Sequence, residues 1–203
     1  MSEAVAALQA LLEELTRHGS VLADHLEPGL PRDQVRALIR QAGARPHADV
    51  IELYAWHNGF DRFRVPVGPN GIASLVPSHQ EFNPLGETLD VYVQRRSIAE
   101  GIGATPMRTR GGGWETIDPD TVWSRDWFPI FEGPGSEVIF IDNSTDAAGS
   151  VWLHPVQDSP RRLFSNLADA MNAVRLALVE GRLELDAAGA FTYDSSRAAG
   201  LEI

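Results

Sequence analysis

The stretch from Asp126 to Val151, DWFPIFEGPGSEVIFIDNSTDAAGSV, decides how this chain folds. An aromatic and apolar run, Trp127, Phe128, Ile130 and Phe131, is interrupted by Gly133-Pro134-Gly135. It resumes as Val138-Ile139-Phe140-Ile141, breaks again over Asp142 to Gly149, and resumes as Val151-Trp152-Leu153. Short apolar runs bounded by turn residues predict a meander of antiparallel strands. Residues 138 to 141 are apolar without alternation, so their strand must be central and covered on both faces. The rest of the chain has to supply that cover.

Working outward toward the N-terminus, Ser2 is placed to cap a helix with Val5, Leu8, Leu12 and Leu15 on one face, ending at Gly19 with Arg17 and His18 in its last turn. A second helix is predicted from Pro31 to Gly43, burying Val35, Leu38 and Ile39. A third follows Pro46, turns Val50, Leu53, Tyr54 and Trp56 inward, and ends at Asn58-Gly59, with Gly59 as its left-handed terminal residue. Beyond Gly59 the texture is β and turn, with a hairpin through Pro69-Asn70-Gly71 into residues 72–76. Residues 87–100 carry a weaker helical pattern through Leu89, Tyr92, Val93 and Arg96. The segment 104–125, with Gly111-Gly112-Gly113, is expected to be a long surface loop containing one short turn, where Asp118 caps and Pro119 takes the first helical position.

C-terminal to the meander, Ser165 or Asn166 caps a helix to Glu180 with Leu167, Ala170, Met171, Val174, Ala177 and Leu178 on one face, closed by Gly181. Leu183, Leu185, Phe191 and Tyr193 flank a turn at Ala188-Gly189, and residues 195–203 are expected to fray. With no repeat and no linker, residues 1–194 are expected to form a single α+β domain, a curled antiparallel sheet with helices packed against it, helices before it and one after it.

Composition narrows the chemistry. Of 203 residues, 43% are apolar, which suits a packed core. No apolar run approaches the ~18 residues that cross a bilayer, and residues 1–19 carry Glu13, Glu14 and Arg17 where a signal peptide would be apolar, so a cytoplasmic protein without membrane contact is expected. There is no cysteine, hence no disulfide, thiolate nucleophile or cysteine-based metal site. All 17 basic residues are arginine, so Schiff-base and Walker-type lysine chemistry is excluded. The net charge is −11, and residues 126–203 hold 12 acidic against 5 basic side chains. Such a chain repels nucleic acid and favours a basic protein partner, although acidity also serves plain solubility.

No catalytic constellation is visible. The histidines at 18, 25, 47, 57, 79 and 154 show no ligand spacing. The triple glycine lacks the Lys and Ser/Thr of a phosphate loop. Asp118, Asp120 and Asp126 match no EF-hand, and Gly133-Pro134-Gly135-Ser136-Glu137 lacks the second glycine of a nucleophile elbow. Neither a metal nor a cofactor is expected. Trp56, Trp127 and Trp152 read as core. Trp114 and Trp123, in the long loop beside carboxylates, read as an exposed contact surface. Together with Glu132, Glu137, Asp142, Asp146 and Asp158, on or beside the meander, they form the expected partner-binding set.

The helix from Leu30-Pro31 to Gly43, Pro46 with IELYAWHNGF (Ile51–Phe60), and DWFPIFEGPGSEVIFID with Gly149-Ser150-Val151 downstream resemble the SUKH superfamily, whose founding member is a fungal cell wall assembly regulator. The resemblance covers about residues 28–180. It implies an α+β fold without enzymatic activity that binds other proteins, and bacterial members are often immunity proteins that neutralise polymorphic toxins, frequently nucleases. Trp127 and Gly59 match positions that look structural there and are not assigned to binding. The segment 101–125 and the hairpin after Gly181 are less typical of it. The expected function is therefore a toxin-binding immunity protein, with a housekeeping adaptor of the same fold as the alternative and a small hydrolase as a distant third.

Overall fold

The computed structural model describes residues 2–61, 63–78, 80–108, 113–133, 135–155 and 158–194, with the side chains of 107, 108, 114 and 115 outside that description. In chain order the elements are α1 (Glu3–Arg17), a 3-10 turn (Leu22–His25), β1 (Leu26–Pro28), α2 (Arg32–Gln41), α3 (Ala48–Trp56), β2 (His57–Phe60), β3 (Val67–Gly68) and β4 (Gly71–Ile72). These are followed by α4 (Leu85–Gly103), β5 (Met107–Arg108), β6 (Trp114–Glu115), α5 (Pro119–Val122), β7 (Trp127–Glu132), β8 (Val138–Asp142), β9 (Ser150–His154), β10 (Arg161–Phe164) and α6 (Leu167–Val179). The class is α+β. No described helix is long and apolar enough to cross a membrane.

The meander forms as the sequence predicts and gains a fourth strand, giving an antiparallel sheet in the order β10-β9-β8-β7. Strand β10 escapes a sequence reading because it opens on Arg161-Arg162, both exposed, and half-buries only Leu163 and Phe164. Strand β8 pairs on both edges, Ile141 with Phe128 and Val151, and Phe140 with Pro129 and Trp152. All five of its residues are buried.

Strand alternation sends the two halves of β8 into different cores. Ile139 and Ile141 join Phe128, Ile130, Val151 and Leu153 in the larger core, which the N-terminal helices and α6 complete. Helices α1 and α6 pack on each other through Leu8, Leu11, Leu15, Val174 and Leu178, all but buried. Their starts are fixed as expected: Ser2 Oγ accepts the Val5 N–H at 3.3 Å, and Asn166 Oδ1 accepts the Asp169 N–H at 2.7 Å. On the opposite face Val138 and Phe140 form a smaller core with Ala99 of α4, Trp123, Trp127 and Trp152. Cover on both sides, demanded by the continuous apolar run, is thus supplied by two separate helical layers.

Three local expectations are corrected. Helix α3 ends at Trp56, and Asn58-Gly59 belongs to β2, not to a helix terminus. Gly59 does have a positive φ of 76°, but its small size matters more, since a Cβ there would stand 2.4 Å from the backbone at Asn83 and Pro84. The weak pattern at 87–100 underlies a helix of 19 residues, α4. The span 104–125 is not one long loop: it pairs β5 with β6 and then forms α5, capped as predicted by Asp118 Oδ1 on the Asp120 N–H at 3.0 Å. Gly111, Gly112 and the tail 195–203 lie outside the described residues, while the final hairpin is reduced to a single bridge, Leu185 with Phe191.

The fold makes one mutational expectation plain. Ile139→Asp places an unpaired carboxylate 1% exposed in the larger core, at a cost of several kcal/mol, on the order of the whole stability of a domain. Thermal melting should show a loss of the cooperative transition, whereas Arg162→Gln on the exposed start of β10 should melt close to the parent.

Candidate functional site

The structure separates the acidic residues that the sequence groups together. Glu132 and Glu137 flank the β7–β8 turn, and exposed Asp158 follows β9 at that same end of the sheet. Asp142 and Asp146 lie at the other end, in the β8–β9 turn. Between the ends runs β8, five residues long, or roughly 15 Å at about 3.3 Å per residue. Asp142 is moreover only 7% exposed, and its Oδ1 accepts the Ser144 N–H at 2.8 Å. It shapes a turn and offers no charge to a partner. Asp146 and Asp158 are exposed, Glu137 is half-buried, and half-buried Glu132 accepts from Asn83 Nδ2 at 3.2 Å. The Trp114 side chain lies outside the described residues.

Trp123 is not an exposed contact residue, being only 1% exposed. Its ring meets Trp127 edge-on with centroids 5.7 Å apart and lies 5.5 Å from Phe140. Arg96 of α4 holds it there. The Arg96 guanidinium, itself almost buried, donates to the Trp123 carbonyl, to Asp120 Oδ1 at 2.6 Å and to Glu100 Oε1 at 3.1 Å. Burial would pull the Arg96 pKa down, and its hydrogen bonds to the Asp120 and Glu100 carboxylates more than offset it, so the group is held firmly charged. A residue read only as a helical position is the clamp that fastens α5 and Trp123 onto α4.

Above Trp123 opens a cavity of about 200 Å3, walled by Val91, Gln94, Arg95 and Ile98 of α4, by Trp123, and by Glu132, Ser136 and His154 from the sheet end. Arg95 reaches across it, its Cζ 5.4 Å from the Trp123 ring centroid, and donates through Nη2 to the Ser136 carbonyl. Ser136 is left-handed at φ 72°, a conformation uncommon for a residue other than glycine. His154, with Nδ1 3.1 Å from the Pro155 carbonyl, has its pKa lowered by burial first and by the Arg95 charge second. It is neutral at neutral pH.

A second cleft, of about 290 Å3, lies at the start of α4, lined by Glu27, Asn58, Phe60, Asp61, Phe63, Asn83, Pro84 and Glu87. Its walls are fixed by long-range bonds. Asn58 Oδ1 accepts the Leu85 N–H at 3.0 Å and so caps α4 from β2, where Pro84 at the cap position supplies no side-chain bond. The Phe60 N–H donates to the Phe82 carbonyl at 3.1 Å. Tyr54 anchors the same corner through Thr88 Oγ1 at 2.7 Å, and burial raises its pKa so that it stays a neutral phenol. Glu27 and Glu87 make no ion pair among the described residues, while Asp61 pairs with Arg64 at 3.2 Å. Phe63 stands at the lip, 87% exposed. Asn83, only 6% exposed, lines this cleft and bonds Glu132 of the other cavity.

Sequence reading missed these carboxylates because no local pattern links positions 27, 61 and 87. It missed Arg95 for a different reason, since a lone arginine on a helix is usually a solvated one. Among the described residues no three His, Asp or Glu side chains gather as a metal site.

Two expectations follow from this geometry. Arg96→Ala removes the donor to three acceptors and should lower stability by about 3 kcal/mol, with near-ultraviolet circular dichroism losing its tryptophan signal, while exposed Arg40→Ala serves as an unaffected control. For His154 the lowered folded-state pKa means that the unfolded chain takes up the proton first as pH falls. Its contribution is fully present above about pH 6.5 and lost below that. The drop in melting temperature between neutral and mildly acidic pH should be smaller in His154→Gln than in the parent.

Compared with known proteins, the chain matches no protein-family model and no curated protein sequence, which leaves the chemistry of the two cavities as the ground for its function.

Proposed function

We propose that this protein acts by binding a basic protein partner without catalysis, most concretely as a SUKH-like immunity protein that covers the cationic active surface of a toxin such as a nuclease. The observation that carries this reading is the cleft at the start of α4. Three carboxylates, Glu27, Asp61 and Glu87, line it; no basic side chain among the described residues does; and an aromatic ring, Phe63, projects beside them. An arginine or lysine of a partner entering such a cleft gains Coulomb attraction from Glu27 and Glu87, with Asp61 already paired to Arg64, and apolar contact from the exposed Phe63 side chain. The net charge of −11 adds long-range steering toward a positive surface. A nuclease must present arginine and lysine to phosphate, so one acidic surface serves both to find and to occlude it.

The test uses the basic protein recovered with this chain from its native cell. Co-expression of the chain should protect the host from that partner. In stopped-flow association at low ionic strength, Glu27→Lys combined with Glu87→Lys should slow binding about tenfold or more, with the difference shrinking as salt rises. Phe63→Ala should chiefly speed dissociation. Unchanged association of the double variant overturns the docking at this cleft, and a partner whose toxicity is indifferent to the chain overturns the immunity role.

A further inference from the structure

The tip of the β3–β4 hairpin is fastened to the turn at residues 186–190 by one carboxylate. Asp186 Oδ2 accepts the Asn70 backbone N–H at 3.2 Å and the Asn70 side-chain amide at 3.1 Å. Its Oδ1 accepts the N–H groups of Ala188 at 2.9 Å and Ala190 at 3.0 Å. Burial would raise the Asp186 pKa, and the hydrogen bonds from Asn70, Ala190 and Ala188 more than offset it, so the acceptor stays ionised. The approach is close enough to require glycine opposite it, since a Cβ at Gly68 would stand 2.7 Å from Asp186 Oδ2 and 2.6 Å from the Ala188 Cβ. This fastening depends on the side chain at position 70 being a donor. Gly71 follows it, and asparagine before glycine is the pair most prone to lose its amide, because glycine has no side chain to keep its backbone nitrogen from the asparagine Cγ.

The chain has two such pairs, and the fold treats them differently. Asn58-Gly59 is locked in β2: Asn58 Oδ1 accepts the Leu85 N–H at 3.0 Å, and Gly59 is buried against the backbone at Asn83 and Pro84. Asn70-Gly71 sits at an outer corner, where β3 and β4 have two residues each, Pro69 is exposed and Val67 is 76% exposed. With so little apolar burial, that corner opens locally at small cost. We propose that Asn70 is a site of spontaneous deamidation and that the reaction unfastens the hairpin from Asp186. The Gly71 nitrogen forms a bond to Asn70 Cγ and gives up its proton, the Cγ–Nδ2 bond breaks, and ammonia leaves with that proton. Water then opens the resulting succinimide at one of its two carbonyls, leaving aspartate or isoaspartate at position 70. Either product replaces the side-chain donor with a carboxylate beside that of Asp186, so attraction becomes repulsion.

The test ages the full chain at mildly alkaline pH, folded or in urea, and follows the mass gain of each pair after cleavage at arginine. Cleavage places Asn58 in a peptide ending at Arg62 and Asn70 in one spanning Val65–Arg95. Relative to its own rate in urea, folding should slow Asn58 about tenfold or more beyond any slowing of Asn70. Hydrogen exchange then compares aged with fresh protein: in the converted fraction residues 67–72 should lose protection, while β7, β8 and β9 keep it. Asn70→Asp is the homogeneous form of the product and should show the same loss. Adding Asp186→Asn places an amide donor opposite the new carboxylate and should restore part of the protection, which a general loosening of the hairpin would not allow. The proposal is overturned by an intact Asn70 in the aged folded chain, by equal slowing of the two pairs, by parent-like protection of 67–72 after conversion, or by a double variant no better protected than Asn70→Asp.

Discussion

Strand β8 is the constraint on which the rest of this structure depends. A strand buried on both faces and paired on both edges has no contact with water, so every neighbouring element must be in place for it to be stable. Its odd-numbered side chains need the large core of α1, α3 and α6. Its even-numbered ones need a second cover, and the chain supplies this with α4, α5 and a group of aromatic rings around Trp123. The first cover is held together by apolar packing and the second leans on one buried arginine. Two clefts open along α4, which belongs to that second cover.

The gaps are chemically unlike. At the start of α4 the first turn, β1 and the exit from β2 bring carboxylates together around an exposed phenylalanine. Midway along α4 Arg95 lies over the Trp123 ring, with Glu132 in the same lining. One helix therefore borders both an acidic cleft and a cavity of mixed charge, and Asn83 stands between them with its amide committed to Glu132.

Much of the fold was legible because it rests on patterns local in sequence. The meander, the capping of α1, α5 and α6 by Ser2, Asp118 and Asn166, and the hairpin at Pro69-Asn70 all follow from periodicity and turn residues within a few positions. What was not legible depends on distance. Asn58 looks like a helix ending until Leu85 arrives to be capped by it. Trp123 looks exposed beside Asp118 and Asp120 until Arg96 draws Asp120 and the Trp123 carbonyl to the same guanidinium. Asp142 looks like surface charge until the neighbouring Ser144 N–H claims it. Sequence proximity of acidic residues was likewise a poor guide to a shared surface, because a strand carries its two turns to opposite ends of the sheet.

The excursion between β2 and α4 leaves and re-enters the fold through one narrow neck. The Phe60 amide meets the Phe82 carbonyl, Asn58 meets the Leu85 amide, and Gly59 lets the two backbones touch. Inside the excursion Val65, Ala73, Leu75 and Val76 are buried, while Phe63 and Val67 project outward. A segment closed at its base and ballasted from within transmits little of what happens at its tips to the sheet. Substitutions at its exposed positions are therefore decoupled from the stability of the sheet, so its surface chemistry can change while the scaffold stays as it is.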